Sequence, residues 1–175
     1  GFCSMILKLI KEQWIIPPAL ASDDGTSSQP PRLIMVFDCP GPSFRKEVYP
    51  EYKANRPECP MDLQVQFPMI KEAAQAFGIP CVEVPKFEAD DVIATLAEQA
   101  KREGIPITRI LSSDKDLQQL ITTTKTGKKD DDVSSQQPRV DMMDPKTLKR
   151  TTYDEVEEKW GVTPDQMGDF LALVG

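Results

Sequence analysis

Short apolar runs that alternate with helical stretches constrain this chain more than any other feature. Leu33–Phe37 (LIMVF), Cys81–Val84, Ile107–Leu111 and Arg139–Met143 read as strands. LIMVF is apolar at every position, the pattern of a strand buried on both faces. Helical spacing fills the stretches around them. Gly1–Ile16 carries Phe2, Met5, Ile6, Leu9 and Ile10 at that spacing and is stopped by Pro17-Pro18. Leu63–Phe77 closes on Gly78, and Glu88–Glu103 on Gly104, with Val92, Ile93, Leu96, Ala97 and Ala100 along one face of the latter. Asp114–Ile121, Tyr153–Trp160 and Pro164–Val174 read as further helices. The alternation predicts an α/β fold, a parallel sheet flanked by helices. The 175 residues suit a single domain.

Three segments fall outside this rhythm. Residues 21–31, rich in Ser, Asp, Gly and Pro, and residues 122–138, a polar insertion holding KKDDD, read as disordered insertions. Asp38–Pro60 is charged, proline-rich and without helical period, so residues 39–60 are expected to form a long loop or irregular arch. No apolar run approaches the ~18 residues of a membrane helix, and no membrane partner is expected.

The chain has no histidine. That removes Ser–His and Cys–His triads, His–Zn sites and imidazole bases together. Hydrolytic chemistry must then run on carboxylates, lysines or metals. A net charge of −7 argues against a simple basic nucleic-acid module, but not against an acidic site neutralised by cations. Cys3, Cys39, Cys59 and Cys81 form no CxxC pair and suit free thiols in a reducing, intracellular compartment.

Acidic groups follow the strands, where open α/β sheets gather ligands. Asp38 follows LIMVF; Glu88, Asp90 and Asp91 (FEADD) follow Cys81–Val84; Asp114 and Asp116 (SSDKD) follow Ile107–Leu111. Taken singly, each reads as an ordinary helix cap or first-turn acid. In a parallel sheet they would meet at one edge. Two carboxylates ~6 Å apart repel by about 3 kcal/mol at an effective dielectric of ~20, so such a gathering calls for cations. Oxygen-only ligation selects hard ions, Mg²⁺ first with Mn²⁺ as substitute, and a pair of them suits phosphodiester hydrolysis. Between the first acid and the next helix, SFRKEVYPEYKANRP interleaves Arg45, Lys46, Lys53 and Arg56 with Tyr49 and Tyr52. The mixture suits phosphate contacts and base stacking, although a solvated loop has similar composition.

VFDCPGPSFRKEVYPEYKANRP, FEADDVIATLA, LSSDKDLQQL and GVTPDQMGDFLALVG, in this order, resemble the 5′ nuclease domain of bacterial-type DNA polymerase I, a PIN-like or resolvase-like core with a helical arch. The resemblance spans residues 1–175, apart from the two insertions. It implies a 5′→3′ exonuclease and flap endonuclease that hydrolyses DNA at 5′ ends or flaps in replication or repair, with two Mg²⁺ ions and, in the full-length protein, a linked polymerase domain. It implies that Asp38, Glu88, Asp90 and Asp91 serve one metal site and Asp114 and Asp116 a second. By the same resemblance Lys53 and Arg56 act at the scissile phosphate as catalytic cations and DNA contacts, with Arg45 and Tyr52 in support. The family carries one further metal-site acid upstream and two downstream of the segments matched here. The chain is therefore expected to be the central part of the domain and, alone, weakly active or inactive. The insertions hint at a member from a plastid or mitochondrion. Two rival readings are a PIN-like ribonuclease and a non-catalytic DNA-binding module.

Overall fold

The computed structural model describes residues 1–12, 33–57, 59–122 and 138–174. The 21–31 insertion lies outside the described residues, as does nearly all of 122–138. The chain divides into two compact units, Gly1–Ala89 and Asp90–Gly175.

In the first unit, α1 spans Phe2–Lys11 and buries Ile6 and Leu9. Phe2, Met5 and Ile10 are half-buried, so the apolar face is the one the spacing predicts; residues 13–16 of the expected helix lie outside the described residues. Strand β1 is Met35–Val36, shorter than the apolar run that predicts it. It pairs in parallel with β2, Cys81–Val82, in the register Met35↔Cys81 and Val36↔Val82. Between them the segment expected to be an irregular loop contains a helix, α2 (Phe44–Val48). The expected helix over 63–77 begins earlier and is interrupted, α3 being Met61–Gln64 and α4 Gln66–Ala76. Its end is as expected. Gly78 takes φ +71, where a side chain is disfavoured, and the Ile79 and Gly78 N–H groups return to the Ala74 and Gln75 carbonyls.

The second unit begins within α5, Ala89–Arg102. Its sheet runs β3 (Ile107–Leu111), β4 (Arg139–Met143), β5 (Arg150–Thr151), in that order. The β3–β4 pair is parallel, as expected, whereas β4–β5 is antiparallel. A tight turn after β4 makes this possible: Asp144 accepts from the Lys146 and Thr147 N–H groups and the chain doubles back. A 3₁₀ helix, Lys115–Leu120, follows β3; α6 (Tyr153–Trp160), a 3₁₀ turn (Pro164–Gln166) and α7 (Met167–Val174) complete the unit. Helix α6 starts on a reciprocal cap between Thr152 and Glu155, satisfying N–H groups that the first turn leaves over.

Every residue of β4 is buried. Val140 and Met142 join Ala97, Ile110, Leu117, Ile121, Val156 and Met167 in one apolar core. The alternate residues, Arg139, Asp141 and Met143, point to the other face. There Arg109 donates to Asp141 through two hydrogen bonds, and Arg150 Nε lies 3.2 Å from the same carboxylate.

Candidate functional site: the acids and the arch

The proline-rich segment folds onto the turn before α5. Ser43, extended and unable to continue a helix, starts α2, and Phe44 N–H donates to the Lys86 carbonyl at 2.8 Å. The Phe44 and Phe87 rings lie 5.5 Å apart at 50°, and Lys86 pairs with Glu47 at 2.8 Å. A chain of tight turns follows: Tyr52, Ala54 and Arg56 N–H groups each reach the carbonyl three residues back. These contacts hold the segment, expected as a long loop or irregular arch, in a course of one short helix followed by turns.

Its polar groups converge on Glu88. Lys53 Nζ donates to Oε1 at 2.9 Å, and the Tyr52 hydroxyl donates to Oε2 at 3.0 Å. Arg45 Nη1 stands 3.4 Å from Oε2. The cations also stack: Arg45 lies 4.7 Å from the Phe44 ring centroid and Lys53 5.0 Å from that of Tyr52. Glu88 keeps 17% of its side chain exposed. Desolvation pushes its pKa up, but the hydrogen bonds from Lys53 and Tyr52 and the charges of Lys53 and Arg45 outweigh it, so the carboxyl titrates below its usual range. For Lys53 burial opposes the charge, and hydrogen bonding and attraction to Glu88 prevail; its pKa is raised. Lys53 also has φ +55, a left-handed conformation that costs a non-glycine residue about 1 kcal/mol.

Asp38 stands just beyond β1, and its Oδ1 accepts the Ala89 N–H at 2.8 Å. The acid thus caps the start of α5 from a distant part of the chain, a role that sequence order does not reveal. Asp90 and Asp91 lie in the first turn of α5. Asp114 is the N-cap of the 3₁₀ helix: its Oδ1 accepts the Asp116 N–H at 3.0 Å, and both acids are exposed. Arg56 is exposed, and among the described residues its guanidinium has no ion-pair partner. The structure therefore brings Arg45, Tyr52, Lys53 and Glu88 together, and the Arg56 N–H is bonded to the Lys53 carbonyl at 3.2 Å.

All of these acids offer hard oxygen donors, the right chemistry for a divalent cation of the Mg²⁺ kind. Among the described residues, however, no three acidic or thiol side chains are grouped closely enough to hold a metal ion. The donor type fits such an ion; the grouping does not complete a ligand set.

Residues 1–161 match the family model described as 5'-3' exonuclease, N-terminal resolvase-like domain. The chain belongs to this family of 5′-3′ exonuclease domains. Over all 175 residues this 5′-3′ exonuclease domain is 41% identical to DNA polymerase I of Rhizobium leguminosarum, of which it covers 15%. It is 37% identical to the 5'-3' exonuclease of Aquifex aeolicus, of which it covers 50%. It thus spans half or less of the length of these relatives. Among solved structures, the T5 D15 protein co-crystallised with metal ions superposes with a TM-score of 0.63 at 19% identity, covering 100% of this chain and 59% of that one. The bacteriophage T5 D15 flap endonuclease, solved as a pseudo-enzyme–product complex with DNA and metal ions, gives 0.54 at 22% identity, covering 77% and 48%. These likenesses establish the resolvase-like α/β fold.

Proposed function

We propose that this domain works within a metal-dependent 5′→3′ exonuclease and flap endonuclease that hydrolyses DNA phosphodiesters. The observation that carries the reading is the convergence of Arg45, Tyr52 and Lys53 on Glu88, at the turn that opens α5. Cations and an aromatic hydroxyl held beside a carboxylate suit a phosphodiester backbone: the cations meet phosphate oxygens and the ring offers a face to a base. Lys53 and Arg56 would stabilise charge developing on the phosphate, and Arg56, exposed on the same arch, would also bind the strand. Asp38, Glu88, Asp90, Asp91, Asp114 and Asp116 are the proposed metal ligands, by their match to the family motifs, with Mg²⁺ as the ion and Mn²⁺ as substitute. Metal ions and DNA bound to the T5 protein support this reading. So do relatives named DNA polymerase I, which also favour a covalently linked polymerase. Four free cysteines suit a reducing compartment, and the two polar insertions an organellar member of the family.

The test is cleavage of matched 5′-flap substrates by the full-length protein, one with a DNA flap and one with an RNA flap, with Mg²⁺ and with chelator. Mg²⁺-dependent cleavage of the DNA flap is expected. Preference for the RNA flap would replace this reading by a ribonuclease, and no cleavage of either by a binding module.

A further inference from the structure

The turn that leads into the acids of α5 holds a residue its backbone does not favour. Val84, Pro85, Lys86 and Phe87 form a tight turn, in which the Phe87 N–H donates to the Val84 carbonyl at 3.1 Å. Pro85 takes the second position and Lys86 the third, with φ +71. A type II turn requires positive φ there and takes glycine or asparagine by preference, because a larger side chain crowds the backbone. What lysine brings to the position is an ammonium: its Nζ lies 2.8 Å from Glu47 Oε1 on α2. We propose that Lys86 is a positioning residue, whose ammonium latches α2, the base of the arch, onto the turn that carries Glu88. The inference rests on the nuclease reading only for why the arch must be held beside the proposed metal-site acids.

Helix α2 cannot stand alone. It has five residues, FRKEV, far below the ~12 at which an isolated helix becomes marginal. Ser43 makes no side-chain cap bond, and the Phe44 N–H is taken instead by the Lys86 carbonyl at 2.8 Å. The Phe44 and Phe87 rings meet at 5.5 Å. Glu47, three residues after Phe44 and so on the same side of the helix, receives the Lys86 ammonium. Two adjacent turn residues thus supply a backbone cap, a ring contact and a charge. The ion pair is exposed and weak by itself, and it acts by adding to the two contacts beside it. The effect reaches the proposed phosphate contacts through Arg45. That residue lies on α2, stacks on the Phe44 ring at 4.7 Å and the Tyr52 ring at 5.9 Å, and holds Nη1 3.4 Å from Glu88 Oε2. Tyr52 and Lys53 meet the same carboxylate. Loosening α2 therefore withdraws Arg45 first and lets the Tyr52–Lys53 turn drift from the acid.

The experiment uses the full-length protein with Lys86→Asn, Lys86→Gly, Lys86→Glu, Glu47→Lys and the charge swap that combines the last two. Asparagine and glycine suit the turn, so neither variant should unfold more readily in urea than wild type. Amide hydrogen exchange, followed without DNA, should nevertheless quicken about threefold at Phe44, Lys46 and Tyr49 in both, with the β3–β4 amides unchanged. A lysine that served the fold alone would move stability and exchange together. In single-turnover cleavage of a 5′-flap DNA, Lys86→Glu and Glu47→Lys should each be slower by about threefold or more, and the charge swap should return the rate to within about twofold of wild type. Unchanged exchange at the three α2 amides in both Lys86→Asn and Lys86→Gly overturns the proposal. So does faster exchange throughout, β3–β4 included, or a charge swap no faster than the slower single variant. If the wild-type protein cleaves no flap, the nuclease reading fails, and the amide data still decide whether Lys86 latches α2.

Discussion

Arg109 and Asp141 are register partners on β3 and β4 and are joined twice, Nε to Oδ1 at 2.6 Å and Nη2 to Oδ2 at 2.8 Å. Asp141 is 4% exposed and also neighbours Arg150. Removing one partner of a buried pair leaves the other charge uncompensated, at a cost of about 3–5 kcal/mol. Asp141→Ala should therefore be severely destabilising, lowering the urea midpoint well below wild type. A change under about 1 kcal/mol would show that the arginines find other partners without strain.

Gly104 ends α5 with φ +75, and a Cβ placed there would meet nothing within 4 Å. The penalty for a side chain is therefore purely one of backbone conformation. Gly104→Ala should destabilise by about 1 kcal/mol, and Gly104→Asn by less, because Asn tolerates the left-handed region. Thermal unfolding of the pair measures this; equal stability of wild type and Gly104→Ala would mean that the cap is not formed.

Asp144 holds the turn between β4 and β5. Its Oδ1 accepts from the Thr147 N–H at 2.7 Å, the Thr147 hydroxyl at 2.9 Å and the Lys146 N–H at 3.0 Å. The Thr147 bonds lead in holding its carboxyl below the usual aspartate range. A depressed folded-state pKa stabilises the turn above the unfolded pKa of about 3.9, and the contribution is lost as pH falls through the lower folded value. Carboxyl carbon chemical shifts should place the Asp144 midpoint below that of an unfolded aspartate, and Thr147→Val should raise it. A midpoint at or above the unfolded value contradicts the geometry.

Asp114 offers a way to separate capping from metal binding. It caps the 3₁₀ helix through the Asp116 N–H. Asparagine caps as well as aspartate but is neutral, so Asp114→Asn should leave stability within about 0.5 kcal/mol of wild type. If Asp114 is a metal ligand, the same change should lower Mg²⁺-dependent cleavage by the full-length protein by about tenfold or more. A variant equal to wild type in both measurements would leave Asp114 a cap and nothing else.

Local patterns made part of this molecule legible. β3, β4 and α6 fall on the residues expected: Ile107, Ile110 and Leu111, and Val140, Met142 and Met143, supply the apolar side chains of the two strands, and a cap at Thr152 with Gly161 at the other end brackets the helix. The departures depend on contacts that the residues of the element do not themselves announce. Helix α2 is only FRKEV, too short to persist without the Phe44 contacts to Lys86 and Phe87. Strand β5 is Arg150–Thr151, polar and brief, formed because the Asp144 turn returns it to β4. Of the candidate site, the residue types were readable and their partners were not. Asp38 looks like a free acid after a strand but is tied to Ala89, and Glu88 is tied to a lysine thirty-five positions away.

The central claim is that the arch of this 5′-3′ exonuclease domain presents Lys53 to a phosphodiester. Single-turnover cleavage of a 5′-flap DNA by the full-length protein, wild type against Lys53→Ala, tests it most directly. Flap affinity is measured in parallel without divalent cation. The account predicts a rate lower by about 10²-fold, with affinity within about threefold, because the ammonium acts on charge that develops during the reaction. Cleavage by Lys53→Ala at the wild-type rate would contradict it.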